Sequence, residues 1–529
     1  MCGVTGIIDK NLENKESVIQ KMTDRIAHRG PDDQGFFIDR NVALGMRRLS
    51  IIDLSSGKQP VVSDDGRYLI FFNGEIYNYK ELRVDLEKEY KFKTQSDTEV
   101  ILYMYLKHKE KMLPMLRGMF VFAIYDTISK RIFIARDFFG IKPLYYLTIK
   151  DRVVAFSSEI KSFIDYPGFK NEVNDTAVYN YLSFQYNPLP ETFFKGVYKL
   201  PPAHYMEIDT NSGSVQQKRY WTLSFNQDQN LEEKVARENI KDVIEKSVAK
   251  HMIADVPVGS FLSGGVDSSI IATMMQKTRG DKKIKTFTVG FDTLTEGEEA
   301  KETSNFLETD HKEITIGPKE YFAELPKIAY HFDEPVADPS AVGLYFVARE
   351  ARKSVKVVLS GEGSDELFGG YNVYLAPFAK EKMSWLPKWA IDIFLALPFN
   401  YFGKNYLRRV KNNLESWYIG NASVFKQDEL KSLWKSRGEK TISLNPLYKN
   451  AKGLSESTQM QYIDINTWLV GDILAKADKM TMANSLELRV PFLDVDVANL
   501  ATKLPDTFKW RRGVTKYLLR EAFKDVIPD

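Results

Sequence analysis

The sequence predicts two unlike units in series: a β-rich α+β sandwich flanked by helices, followed by an α/β parallel sheet with a helical C-terminal part. Three observations predict it. Short apolar or β-branched runs bounded by turn residues crowd the first part, to about Trp221, with few helical patterns among them. From about Val256, strand and helix patterns alternate at the spacing of parallel βαβ units. A chain of 529 residues exceeds what one hydrophobic core serves.

In the first part, Gly3-Val4-Thr5-Gly6-Ile7-Ile8 opens as a strand, and residues 42–44, 68–73, 120–125, 131–135, 144–148 and 153–157 read as further strands. Helices fit over 17–27 and over 98–108, the second capped by Asp97. The polar stretch 224–229 reads as a linker, which divides the chain into 2–221 and 230–529. Beyond it, strands are expected at 256–262, 284–291, 311–316 and 355–360, with helices at 268–277, 298–308, 319–331 and 343–353. From about Ala376 the pattern is mostly helical, and no internal repeat or low-complexity tract is present.

Composition narrows the function. Hydrophobic residues make up 43% and charged residues 27%, an ordinary globular mix. A net charge of +2 gives no footprint for nucleic acid. The single cysteine excludes intrachain disulfides and multi-cysteine metal sites, and fits a reducing compartment. No signal-peptide pattern precedes the first strand. The most apolar stretch, 391–402, is short and holds Asp392 and Pro398, so it cannot span a bilayer as a helix. The expected location is the cytoplasm.

That single cysteine is Cys2. Once Met1 is removed, Cys2 carries a thiol nucleophile and an α-amine of pKa ~7.7–8.0, able to act as its base. Alone, a Met-Cys start reads as a small residue without a role. Downstream, Phe261-Leu262-Ser263-Gly264-Gly265-Val266-Asp267-Ser268-Ser269 sits at a strand-to-helix junction. Paired glycines let backbone N–H groups approach an anion, Ser268 can cap the helix, and Asp267 can hold a magnesium ion. A bare Gly-Gly would read as a tight turn; the full string resembles the loop of ATP pyrophosphatases. No Gly-x-x-x-x-Gly-Lys-Ser/Thr is present, which excludes the phosphate loop of kinases and GTPases. A second loop, Ser360-Gly361-Glu362-Gly363-Ser364-Asp365-Glu366, follows a strand. Its three carboxylates call for a cation nearby, and its place at a strand's carboxyl end favours a magnesium or substrate site over a solvated turn.

The first part also holds His28-Arg29-Gly30-Pro31-Asp32, Arg48-Leu49-Ser50-Ile51-Ile52-Asp53, Asn73-Gly74-Glu75-Ile76-Tyr77-Asn78, Ser96-Asp97-Thr98-Glu99 and Arg117-Gly118-Met119-Phe120. Singly, each reads as a turn or a cap. With Cys2 they resemble the class II glutamine amidotransferase domain. With the Ser-Gly-Gly-x-Asp-Ser loop added, the chain resembles the glutamine-hydrolysing asparagine synthetases. The resemblance runs from Cys2 to Lys516 and rests on two unrelated motif sets in the family's order. It implies an N-terminal-nucleophile hydrolase sandwich (αββα) over 2–221 and an α/β parallel-sheet ATP-pyrophosphatase domain over 230–529.

The resemblance also implies roles. Cys2 attacks the glutamine amide and its α-amine shuttles protons. Asn73 and the Gly74 N–H form the oxyanion hole. Arg48 grips the glutamine α-carboxylate, Glu75 and Asp97 receive its α-amine, and Leu49, Ser50, Ile51 and Ile52 line the pocket. Leu262 and Val289 hold adenine and ribose. Ser263, Gly264, Gly265, Asp267 and Ser268 cradle pyrophosphate, and Ser360 and Gly361 complete the nucleotide site. Glu362 serves acyl-adenylate formation and ammonia's proton. Asp267 and Asp365 are the Mg2+ ligands, and Lys516 stabilises phosphate charge. Ammonia crosses between the sites through an internal tunnel. The charged string from Lys476 to Asp494 also matches the family, and no chemistry is assigned to it.

The implied reaction takes glutamine, ATP and L-aspartate to glutamate, AMP, pyrophosphate and L-asparagine. Partners are then these small molecules, with no nucleic acid, no membrane insertion, and a homodimer left open. Rival readings are the same chemistry on another carboxylate such as meso-diaminopimelate of cell-wall precursors, a β-lactam synthetase, and a catalytically silent nucleotide sensor. Cys2 with Arg48, Asn73 and Asp97 disfavours the second, and intact Cys2, Asp267, Glu362 and Lys516 disfavour the third. The family continues past the lysine segment, which implies a C-terminal truncation at Asp529.

Overall fold

The computed structural model describes residues 2–291, 296–383, 385–397, 403–434 and 442–528. Met1 and the last five residues of the apolar stretch 391–402 lie outside them. In the first unit the strands are β1 (Cys2–Ile8), β2 (Asp33–Ile38), β3 (Val42–Arg48), β4 (Val61–Val62), β5 (Tyr68–Ile76), β6 (Gly118–Asp126), β7 (Arg131–Arg136), β8 (Tyr145–Ile149), β9 (Arg152–Ser157), β10 (Val197–Lys199), β11 (His204–Asp209) and β12 (Val215–Arg219). They form two six-stranded sheets, ordered β10-β8-β9-β1-β3-β2 and β12-β11-β7-β6-β5-β4.

The run Leu69-Ile70-Phe71-Phe72 shows why the strands read as continuous apolar stretches. Side chains alternate across a strand. Leu69 and Phe71 enter the core between the sheets with Val4, Leu44 and Ile134. Ile70 and Phe72 enter the outer core under helix α2 (Asp97–His108), with Val100, Ile101 and Met104. Helix α1 (Lys15–Asp24) closes the other side, packing Val18, Ile19 and Met22 on Ile7, Ala43 and Ala155. The layers are therefore αββα, as the resemblance implied. Removing a ring such as Phe71, which lies between the sheets, costs about 3–5 kcal/mol. Sequence reading placed the cap of α2 at Asp97. The cap is Ser96, whose Oγ accepts the Thr98 N–H at 3.2 Å. The Asp97 carboxylate instead accepts the Ile76 N–H at 3.0 Å, which ties the helix to the end of β5.

The second unit holds β13 (Val258–Phe261), β14 (Lys285–Phe291), β15 (Asp310–Ile316), β16 (Val357–Leu359) and β17 (Glu487–Arg489), all parallel, in the order β15-β14-β13-β16-β17. Helices α3 (Val266–Arg279) and α4 (Ser340–Ala351) follow β13 and precede β16, and the helical remainder includes α5 (Ala376–Lys382), α6 (Lys388–Ala396), α7 (Lys404–Lys411) and α8 (Leu474–Met482). The units meet through buried charge. The Arg29 guanidinium forks onto Asp478 at 2.8 and 3.2 Å and reaches Glu159 at 2.9 Å. Bidentate pairing of this kind fixes orientation as well as distance.

Candidate active sites

The end of β1 and the turn after β3 enclose a cavity of ≈ 30 Å³. Its wall includes Cys2, Arg48, Leu49, Ile51, Ile52, Gly74, Glu75 and Asp97. Cys2 is buried and pairs with Arg48 across the β1–β3 ladder. Its N–H donates to Asn73 Oδ1 at 3.0 Å. Asn73 Nδ2 is buried and has no acceptor, although Asn73 itself is not part of the cavity wall. Gly74 must be glycine: a Cβ there would lie 2.1 Å from the Met119 carbonyl oxygen of β6. Burial pushes the Cys2 thiol up, more strongly than the Leu49 backbone and Arg48 pull it down.

Negative charge is under-compensated here. Glu75 Oε2 accepts from Arg489 Nη2 at 2.9 Å, while Oε1 is buried without a partner. Burial, with the Asp97 charge beside it, holds the Glu75 carboxyl well above its usual range despite Arg489. Burial likewise raises Asp97 to about 6. Two buried carboxyls, Glu75 paired with Arg489 and Asp97 beside it, favour an incoming cation. One Arg48 terminal nitrogen donates to the Ile52 and Asp53 carbonyls at 3.1 and 2.8 Å, holding the turn that forms the wall. Ser50 is part of that turn but not of the wall; its N–H donates to Asp32 at 2.9 Å.

The second cavity, ≈ 380 Å³, opens at the carboxyl ends of β13, β14 and β16, where α/β sheets gather ligands. Leu262, Ser263, Gly265, Asp267, Ser268, Val289, Ser360, Gly361, Glu362 and Asp365 all line it. Sequence reading made Ser268 a helix cap. It occupies the first turn of α3 instead, and its Oγ receives the Ser263 N–H at 3.0 Å and donates to loop carbonyls, fixing the loop's curl. Gly264 faces away from the cavity wall and packs on Glu299, where a Cβ would come within 2.1 Å of the carboxylate. Gly361 brings the second loop onto the first; a Cβ there would meet Asp267 Cβ at 2.8 Å.

Lys516 joins the two loops. Its ammonium lies 2.5 Å from Asp267 and 2.6 Å from Asp365. Asp267 also accepts the Ser364 hydroxyl at 2.7 Å. Burial disfavours the Lys516 ammonium, but the two aspartates outweigh it and raise its pKa. Burial raises Glu362, and its Oε2 has no partner. Burial and the neighbouring Asp365 lift Glu366 to about 8, although the Tyr371 hydroxyl donates to it at 2.7 Å. Asp267 and Asp365 share a single cation, so their oxygens already converge as two hard ligands to one ion would. They fit a magnesium ion that takes its remaining ligands from phosphate and water. Among the described residues no group of three or more His, Cys, Asp or Glu forms a self-contained metal cage.

Strand β17, whose charges were assigned no chemistry from the sequence, lies between the cavities. The Arg489 side chain pairs with Glu75 of the first, and its carbonyl accepts the Ser360 N–H of the second at 3.0 Å. Its Nε contacts Glu487 at 2.6 Å, and Nη1 donates to the His251 and Ile253 carbonyls. Sequence reading gives no role to Ser96 and Lys476, although both stand in family-matching strings, and does not single out Gly57 and Gln59 in the first wall or Ser340, Gly343 and Tyr371 in the second. The one usable signal was the apolar-poor, charge-rich string around Lys476 in an otherwise buried region.

A lone cysteine lining one cavity, and a glycine-rich loop crossed by a lysine lining a second, give the molecule two separate candidate sites. The asparagine synthase family model matches residues 239–529, and the glutamine amidotransferase domain model matches residues 1–221. The chain is 45% identical to glutamine-hydrolysing asparagine synthetase 1 of Bacillus subtilis, over 100% of this chain and 85% of that one. It is 41% identical to a putative glutamine-hydrolysing asparagine synthetase of Mycobacterium tuberculosis (97% and 82% covered), and 32% identical to one of Methanocaldococcus jannaschii (93% and 100%). The chain belongs to the glutamine-hydrolysing asparagine synthetase family, a family of carbon–nitrogen ligases with glutamine as nitrogen donor.

Proposed function

We propose that the chain forms L-asparagine from L-aspartate, glutamine and ATP, releasing glutamate, AMP and pyrophosphate. The observation that carries this reading is that Arg489 joins the two cavities, touching Glu75 in one and Ser360 in the other. In the first cavity the Cys2 thiol gives its proton to the α-amine exposed by loss of Met1 and attacks the glutamine amide carbon. Asn73 Nδ2 and the Gly74 N–H receive the oxyanion, a thioester forms, and ammonia leaves. Water then cleaves the thioester to glutamate. Glu75 and Asp97 take the substrate's α-ammonium and Arg48 its carboxylate.

In the second cavity Leu262 and Val289 hold the adenosine, while Ser263, Gly265 and Ser268 hold the phosphates. The aspartate β-carboxylate attacks the α-phosphorus and pyrophosphate departs. Ammonia adds to the acyl carbon, Glu362 accepts the surplus proton, and AMP departs. Adenylation is needed because a carboxylate's own leaving group would be oxide. Lys516 offsets charge on the departing phosphates. Asp267 and Asp365 would hold Mg2+, which would supply further neutralisation of phosphate charge.

Cys2→Ala tests the assignment. Asparagine formation from glutamine should vanish while formation from ammonium persists at the parent rate. Persistence of both activities would overturn the role of Cys2. Replacement of aspartate by other carboxylates, with pyrophosphate release as readout, tests the acceptor: turnover of a different acceptor in preference to aspartate would overturn that part.

A further inference from the structure

Among the described residues, those of 376–411 line neither cavity and have an unusual surface. Helix α6 is apolar on two sides. Ile391 is 2% exposed and anchors the inner side. On the outer side Trp389 and Ile393, one turn apart, are 68% and 59% exposed, and Trp385, in the turn before the helix, is 77% exposed. A helix that packs one apolar stripe and leaves a second in water has a surface awaiting a partner.

Charge identifies the partner. Residues 376–411 hold Lys380, Lys382, Lys388, Lys404, Arg408, Arg409 and Lys411 against Glu381 and Asp392, a net of +5, whereas the whole chain sums to +2 and the remainder therefore to −3. The basic helix α7 lies beside the exposed stripe. Lys411 pairs with Asp392 at 2.5 Å, one residue from Ile393, and Lys404 donates to the Leu397 carbonyl at 2.6 Å at the other end. Tyr406, 43% exposed, stands on the same helix under the Arg409 guanidinium. Exposed tryptophans bordered by lysine and arginine match a bilayer interface, where indole rings sit among headgroups and cations meet anionic lipid. A twofold partner of the same chain would set this basic patch against itself.

We propose that α6 and α7 form a peripheral docking surface for an anionic lipid bilayer. Binding is interfacial and not spanning: among the described residues no helix is long and apolar enough to cross a membrane. The segment leaves the synthetase cavity directly, since Tyr371 lines that cavity and α5 starts at Ala376. Docking therefore sets the mouth of the synthetase unit near the lipid surface.

The test is flotation of the full chain with phosphatidylcholine vesicles, with and without phosphatidylglycerol. The chain should float only with the anionic vesicles and be released in ~0.5 M NaCl, where the screening length falls to about 4 Å. W385S/W389S should weaken binding by about a hundredfold, at roughly tenfold per half-buried ring, and K404Q/R409Q/K411Q by about a hundredfold, at roughly fivefold per cation. Activity with soluble substrates should stay at the parent level in both, which reports that they fold. In the parent protein, vesicles should slow hydrogen exchange over 385–397, a readout independent of any variant. Failure of the parent to float at any composition overturns the proposal. So does a change of sedimentation coefficient in W385S/W389S with vesicle binding unaltered, which would assign the surface to protein self-association.

Discussion

The cavity beside Cys2 measures ≈ 30 Å³ and is walled by antiparallel strands and a turn pinned by Arg48. The cavity under the Ser263–Ser268 loop measures ≈ 380 Å³ and is walled by loops at the ends of parallel strands. The first has room for one or two waters, so the proposed binding of glutamine there requires the turn 49–57 to yield. The second is preformed. Their electrostatics differ in the same sense. In the first, Glu75 and Asp97 lack a full complement of positive charge; in the second, Asp267 and Asp365 already have Lys516 between them. On the proposed assignment one site is organised by its substrate and the other before it, which suits a donor reaction that should start only when glutamine is seated.

Disabling one site at a time tests that contrast most severely. Asp267→Asn should lower synthesis from glutamine and from ammonium alike by about 10³-fold, because phosphate positioning and charge neutralisation are lost together; glutaminase turnover, read as glutamate release, should stay within about twofold. Asn73→Ala should lower glutaminase kcat by about 10²–10³ and spare synthesis from ammonium. If both activities fell together, the donor would belong to structure and not to the oxyanion.

Smaller changes sharpen the comparison. Arg489→Lys keeps a positive charge but loses the fork that reaches Glu75, Glu487 and two carbonyls. It should cost about 1–3 kcal/mol of stability in denaturant titrations and raise KM for glutamine, while KM for ATP changes little. The least effect is expected from pH. Asp97 titrates near 6, is charged above that value and neutral below it. Its attraction for the glutamine ammonium therefore fades as pH falls through 6, and this should contribute about a tenfold drop in kcat/KM for glutamine from pH 7 to pH 5, beyond the fall set by protonation of the Cys2 α-amine. Asp97→Asn should start lower and keep only the fall set by the α-amine.

Much of this was readable from sequence, for physical reasons. Strands such as 68–73 and 120–125 are apolar on both sides because two cores claim alternate residues, so their runs stand out. Cys2, Asn73, Asp267 and Lys516 stood out because each is a chemically distinctive residue in a turn or at a strand end. What stayed hidden was built across the chain. Glu487-Leu488-Arg489 is too short and too charged to read as a strand, yet it is buried because Glu75 and two main-chain carbonyls satisfy the guanidinium. Tyr371 and Gly343 line the second cavity only because the sheet brings α4 and the second loop together. Asp97 was misread as a cap because Ser96 and Asp97 are both good capping residues and only the β5 contact separates them.

Arg489 also bears on engineering. A chimera cut at 224–229, the stretch that reads as the linker, would carry every donor residue from Cys2 to Asp97 and still leave Glu75 facing a foreign surface. The cavity beside Cys2 takes the countercharge of Glu75 from a residue more than four hundred positions downstream. Exchange of nitrogen-donor modules between relatives should therefore succeed only when the partner presents an arginine at this place on its last sheet strand, and that position, more than the join itself, is where compatibility can be screened.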